Sequence, residues 1–236
     1  MLEFIPMETS ETVTVFWVRV DEDFPYSSIV RQLDDGERAR ASRFHFRADR
    51  DAFSAARVLL RRSLNELFGP RLRRYCESTG GKLSVEGEPV HFSLSHTRGC
   101  VAVAACSCAP VGMDVEGVGP EPEAVAEIAF APSEVALLQQ CSDESRRRET
   151  FFALWTAKEA LVKATGQGMS AELKKFALAL DPLRLLTPGP DGSPGEDWHL
   201  WSARRRAFRL AAAINCAGAT ISFVVTEVTP AELLLV

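Results

Sequence analysis

Two stretches of this chain repeat one pattern. HFSLSHTRGCVAVAAC (residues 91–106) and HLWSARRRAFRLAAAINC (residues 199–216) each run from a strand-like segment through a polar turn into an alanine-rich strand, and helical sequence precedes both. The echo is faint, yet it constrains topology: two similar α/β halves meeting near residues 107–112 would produce it. The chain has 236 residues, 46% of them hydrophobic, enough for one large domain or two small ones around a real core. Collagen, coiled coil, disorder and disulfide miniproteins are excluded by the same composition.

Local patterning fills in the elements. Thr12–Val20 is rich in β-branched and aromatic residues and reads as a strand. Phe53, Ala56, Leu60, Leu64 and Leu67 recur at helical spacing, which predicts an amphipathic helix over Asp49–Leu67 ending at Gly69-Pro70. His91–Leu94, Val101–Ala105 and Val111–Glu116 read as strands, separated by a His96–Gly99 turn and by Ala109-Pro110. Pro132 opens a short helix through Gln140, and Glu149–Thr165 is a longer one stopped by Gly166 and Gly168. Asp181–Asp197, with four prolines and three glycines, reads as a surface loop. Phe208–Ile214 and Thr220–Thr226 close the chain as strands.

No run approaches a membrane span, and Met1–Glu11 is acidic with no apolar leader core, so a cytoplasmic protein is expected. The six cysteines lack metal or disulfide spacing; Cys100, Cys106 and Cys108 share parity along a strand and read as small apolar fillers on one face. The net charge is −5, but residues 31–74 carry twelve Arg against six acids. Arginine's planar fork suits phosphate and carboxylate, although most of these side chains are expected on a solvated helix face.

Three segments can carry chemistry. In Val111-Gly112-Met113-Asp114-Val115-Glu116, alternation sends Asp114 and Glu116 to one side of a strand. Two such carboxylates need a divalent cation or basic partners, and oxygen ligands favour a hard ion such as Mg²⁺. In FFALWTAKEALVKA (residues 151–164) the Phe, Leu, Trp and Val residues anchor a helix, while Glu159 and Lys163 stand one turn apart among apolar neighbours. In Phe92-Ser93-Leu94-Ser95-His96-Thr97, a serine, an imidazole and a threonine offer donors to a phosphate, and Gly80-Gly81-Lys82 adds a loop with a cation.

Taken together these segments resemble the 4'-phosphopantetheinyl transferases, of the larger, monomeric Sfp type. The likeness runs from Arg43-Phe44 and Asp49-Arg50 through GGK (80–82), FSLSHT (92–97), VGMDVE (111–116) and Phe130 with Glu134 to FFALWTAKEALVKATGQG (151–168). It implies an α+β fold of two similar α/β halves in a pseudo-twofold arrangement, residues 1–110 and 111–236, with the active site in the cleft between them. The implied activity moves phosphopantetheine from coenzyme A to a serine of an apo acyl or peptidyl carrier protein, with Mg²⁺, releasing 3',5'-adenosine bisphosphate. By the same resemblance Asp114, Glu116 and Glu159 hold the metal, and Lys163 meets the attacked phosphate. Lys158, Lys82, Ser95 and His96 bind coenzyme A, and Glu134 has a less defined role. Arg50 is taken as the arginine for the 3'-phosphate, with Arg43, Arg47 and Arg57 as neighbours that could serve. Glu159 is expected to double as the base, and the Arg-rich segment to steer an acidic carrier. One departure is Gly81-Lys82-Leu83, where the family usually has proline after the lysine. Two readings of other classes share some residues: a nucleic-acid-binding module using the arginines, which lacks any recognised signature, and a Mg²⁺-dependent phosphohydrolase using the Asp114/Glu116 pair, which leaves the tryptophan–lysine helix unexplained.

Overall fold

The structure, a computed structural model, describes residues 9–77, 83–120, 123–168 and 172–235. Lys82, with Gly80 and Gly81, lies outside the described residues. In chain order the strands are β1 (Thr9–Arg19), β2 (Tyr75–Glu77), β3 (Leu83–Val85), β4 (His91–Thr97), β5 (Cys100–Cys106), β6 (Val111–Gly117), β7 (Leu178–Leu180), β8 (Leu183–Leu185), β9 (Trp198–Arg205), β10 (Phe208–Asn215) and β11 (Ala219–Glu227). The helices are α1 (Tyr26–Ile29), α2 (Asp35–Ala41), α3 (Arg47–Phe68), α4 (Glu123–Ala129), α5 (Pro132–Gln139) and α6 (Glu144–Thr165).

The echo in the sequence becomes a repeated topology. In each half a strand is followed by a 22-residue helix and then an antiparallel hairpin: β1, α3 and β4–β5 in the first, β6, α6 and β9–β10 in the second. The first sheet runs β11-β1-β5-β4 and the second β6-β10-β9, so the hairpin's alanine-rich strand pairs with the opening strand of its own half.

Side-chain alternation stacks these parts into layers. Phe16 and Val18 of β1 with Val101, Val103 and Ala105 of β5 face α3, burying Ala56, Leu59, Leu60 and Leu64. The opposite faces, Val13, Val15 and Trp17 with Cys100, Ala102, Ala104 and Cys106, meet Val111, Met113 and Val115 of β6 and Leu210, Ala212 and Ile214 of β10. The two sheets therefore pack face to face and the long helices cover their outer sides. The cysteine parity read from sequence holds: Cys100 and Cys106 are buried between the sheets and Cys108 packs against them.

Several boundaries move. His96 and Thr97 remain in β4, because they pair with Val101 and Cys100; the turn is confined to Arg98 and Gly99. The expected loop over Asp181–Asp197 contains β8, which pairs with β7 beneath the second core. The last strand crosses between the halves: β11 pairs in parallel with β1, from Thr9↔Ala219 to Trp17↔Glu227. Gly69 and Gly166 terminate the long helices as predicted, Gly166 with the left-handed backbone (φ 72°) that a side chain would resist.

Candidate active site

The site forms where β4, β6 and α6 meet. Gly112 makes the approach possible: a Cβ there would stand 1.8 Å from the Ala160 carbonyl oxygen and 2.5 Å from the Ala164 nitrogen of α6. Across the ladder, Ala213 pairs with Gly112 and Ala211 with Asp114, so the face under α6 is paved with small residues. The helix backbone thus lies directly on the strand. Glu159 and Lys163, one turn apart, are carried to the level of Asp114.

Asp114 is 3% exposed, and its Oδ1 accepts two bonds, from Ser95 Oγ of β4 at 3.0 Å and from Lys163 Nζ at 2.6 Å. Lys163 also donates to Ser95 Oγ at 2.9 Å, which closes a triangle across three elements and both halves. The second oxygen, Oδ2, is buried without a hydrogen-bond partner. An orphaned carboxylate oxygen inside a protein is costly, and a bound cation at Oδ2 would offset that cost.

Glu116 and Glu159 belong to the same electrostatic unit. Burial pushes the pKa of each up from 4.5, the Asp114 charge adds to the rise, and Lys163 opposes it. The neighbouring Thr97 hydroxyl and Trp155 indole also favour the ionised form of Glu116. Trp155 packs half-buried against the second core, as its place in the apolar helix predicts, and its indole also neighbours Glu116. Among the described residues, no three His, Cys, Asp or Glu side chains close on one point as a preformed metal cage. Magnesium seldom needs one, being held by one or two carboxylates with substrate phosphate oxygens and waters. The donors present, three carboxylates coupled around the unpartnered Asp114 Oδ2, fit such an ion.

His96 rims the cleft. Desolvation of its ring lowers its pKa from 6.5 and Lys163 lowers it further, while Asp49 at the start of α3 raises it. One residue beyond Thr97 and Glu116 on their strands, a cavity of about 700 Å³ opens between the halves, lined by Arg47, Asp51, Arg98, Gly117, Val118 and Phe208 among others.

Lys158 is not in this group, which corrects the expectation that it binds coenzyme A. Its side chain has no exposure; Nζ pairs with Glu134 Oε2 at 2.7 Å and donates to the carbonyls of Leu173 and Phe176 at 2.8 and 2.7 Å. Burial lowers its pKa and Glu134 opposes that fall. Glu134 in turn accepts from the Ala131 and Leu178 nitrogens. The pair welds α5 and α6 to the β7 segment with every donor of the ammonium committed. Arg50 is also engaged internally, with Nε and Nη2 on Asp51 Oδ1 and its guanidinium 3.7 Å from the Tyr26 ring centroid. Arg43 is exposed beside Arg40 and Phe44.

Comparison with known proteins adds to this geometry. The profile of the 4'-phosphopantetheinyl transferase superfamily matches residues 110–213, which span β6, α6 and the β9–β10 hairpin. HetI of Nostoc, a 4'-phosphopantetheinyl transferase, is 34% identical over 70% of this chain and 73% of its own length. This chain belongs to the 4'-phosphopantetheinyl transferases. The transferase psf-1 of Bacillus pumilus is 36% identical over 61% of this chain, an alignment spanning 62% of that relative. Sfp of Bacillus subtilis is 26% identical over 61% of this chain and 65% of its own length. Within this transferase, the matched profile contains Asp114, Glu116, Glu159 and Lys163, whereas Ser95 precedes it. No described helix is long and apolar enough to cross a membrane.

Proposed function

We propose that the protein transfers the 4'-phosphopantetheine group of coenzyme A to a serine of an apo acyl or peptidyl carrier protein, with Mg²⁺, and releases 3',5'-adenosine bisphosphate. The observation that carries this reading is the buried, unpartnered Asp114 Oδ2 within a cluster of carboxylates and one lysine at the junction of the two halves. Membership of the transferase family supports the reaction type.

Phosphoryl transfer depends on positioning and charge neutralisation more than on covalent chemistry by the protein. Asp114, Glu116 and Glu159 would hold the magnesium ion, which supplies positive charge to the diphosphate when bound. His96 and the exposed Arg43 are assigned to the other phosphates of coenzyme A. Glu159, one helical turn from Lys163 and electrostatically coupled to Asp114, takes the proton of the carrier serine. The serine Oγ then bonds to the phosphorus that bears pantetheine, and the bond from that phosphorus to the oxygen of 3',5'-adenosine bisphosphate breaks. Lys163 meets the negative charge that develops on the transferred and departing oxygens.

The test is to incubate the protein with several apo carrier proteins, coenzyme A and Mg²⁺ and to weigh the carriers by mass spectrometry. The expected result is the gain of one phosphopantetheine on the acceptor serine. Unmodified carriers in every case, with the protein folded and retained on DNA or RNA, would favour a nucleic-acid-binding module.

A further inference from the structure

We infer that Ser95 and Lys163 form a clamp on one oxygen of Asp114, and that the clamp selects the cation: it confines the ion to Oδ2 and so favours magnesium or manganese over calcium. The inference rests on the cation site proposed above and adds a specificity device to it.

The triangle Asp114 Oδ1, Ser95 Oγ and Lys163 Nζ has sides of 3.0, 2.9 and 2.6 Å, and Ser95 Oγ accepts further from the Val115 nitrogen at 3.4 Å. Oδ1 is thereby occupied by two donors, one of them charged. Oδ2 has none and is buried. A cation arriving at Asp114 therefore finds one oxygen, and bidentate ligation requires breaking a charge-assisted bond. Calcium takes six to eight oxygens and often a bidentate carboxylate, whereas magnesium takes single oxygens in a tight octahedron. The clamp cannot easily turn aside. Its members come from β4, β6 and α6, and the contact of Gly112 with the α6 backbone fixes the level from which Lys163 extends. Ser95 is itself buried, 6% exposed, under the sheet junction. Ser95 and Lys163 are, in this respect, positioning residues acting through Asp114.

The clamp is tested by metal binding alone. Mn²⁺ is bound to wild type, Ser95→Ala and Lys163→Met, its free fraction is followed by electron paramagnetic resonance, and it is displaced with Mg²⁺ or Ca²⁺. Wild type should prefer Mg²⁺. In Lys163→Met both ions should bind more tightly, since a competing cation is gone, and the preference for Mg²⁺ should shrink by about tenfold, the size of effect expected when a residue supporting a metal ligand is lost. Ser95→Ala should shrink it by less, without the general gain in affinity. Circular dichroism establishes that each variant folds; if Lys163→Met does not, Ser95→Ala decides. An unchanged Mg²⁺ preference in the folded variants, or wild type without preference or without bound Mn²⁺, overturns the clamp. Carrier modification by the same wild-type preparation separates the two proposals. An adduct with unaltered ion preference sinks only the clamp; no adduct with an altered preference sinks only the transferase reading.

Discussion

Lys158 and Lys163 lie on the same face-to-core helix yet do different work, and the reason is rotation about the helix axis. Lys163 shares the Glu159 face and meets Asp114; Lys158 is turned away and meets Glu134 with no solvent contact. Replacing Lys158 by Met should destabilise the fold by about 3–5 kcal/mol in urea unfolding, because it leaves Glu134 buried and unpaired. Lys158→Met with Glu134→Gln should recover part of that loss. Glu159→Gln should unfold no more easily than wild type without added metal, since it removes a charge that opposes folding, and should reduce kcat by roughly 10²- to 10⁴-fold, the contribution usual for a general base; full turnover by this variant would remove Glu159 from that role. At this scale the sequence made Asp114, Glu116, Glu159 and Lys163 legible through alternation and helical spacing. It could not separate Lys158 from them, because its partners arrive from Leu173, Phe176 and Glu134 on other segments.

Among the elements, α6 and β6 define the site, and their separation is set by a missing side chain. Gly112→Ala would drive a methyl group into the Ala160 carbonyl, so α6 must move outward. We expect a loss of about 3 kcal/mol or more in stability, at the upper end of overpacking effects. The divalent-ion response should be lost with it, as Glu159 and Lys163 retreat from Asp114; a folded Gly112→Ala variant with wild-type Mn²⁺ affinity would show that the close contact is unnecessary. Long periodic elements such as α3 and α6 were readable because apolar spacing and glycine stops agree. The β7–β8 hairpin was not, since each strand has three residues and sits in a proline-rich stretch whose pairing depends on the core beneath it. Gly112 sits within a strand read from the sequence, but its role appears only when the α6 backbone is seen to lie against it.

For the whole molecule, the return of β11 to β1 ties the halves together, a long-range parallel pairing that no local pattern could announce. The junction of the halves gathers carboxylates whose charge opposes folding, and under the proposed function a cation would neutralise it. Glu116 and Glu159 have pKa values raised on folding, so the stability they contribute is present at low pH and is lost as pH rises through those raised values. A divalent ion offsets that loss only where the carboxylates are ionised. The thermal midpoint should therefore rise more on adding Mg²⁺ at about pH 8 than at about pH 5, and Asp114→Asn should abolish the difference. Differential scanning calorimetry at the two pH values measures this, and an equal shift at both would detach the carboxylates from the ion. Most direct is a crystal grown with coenzyme A and Mn²⁺, read by anomalous scattering. One manganese peak should lie about 2.0–2.2 Å from Asp114 Oδ2, between Glu116 and Glu159 and against the diphosphate; a diphosphate bound away from these carboxylates, with no peak at Asp114, would contradict the proposed chemistry.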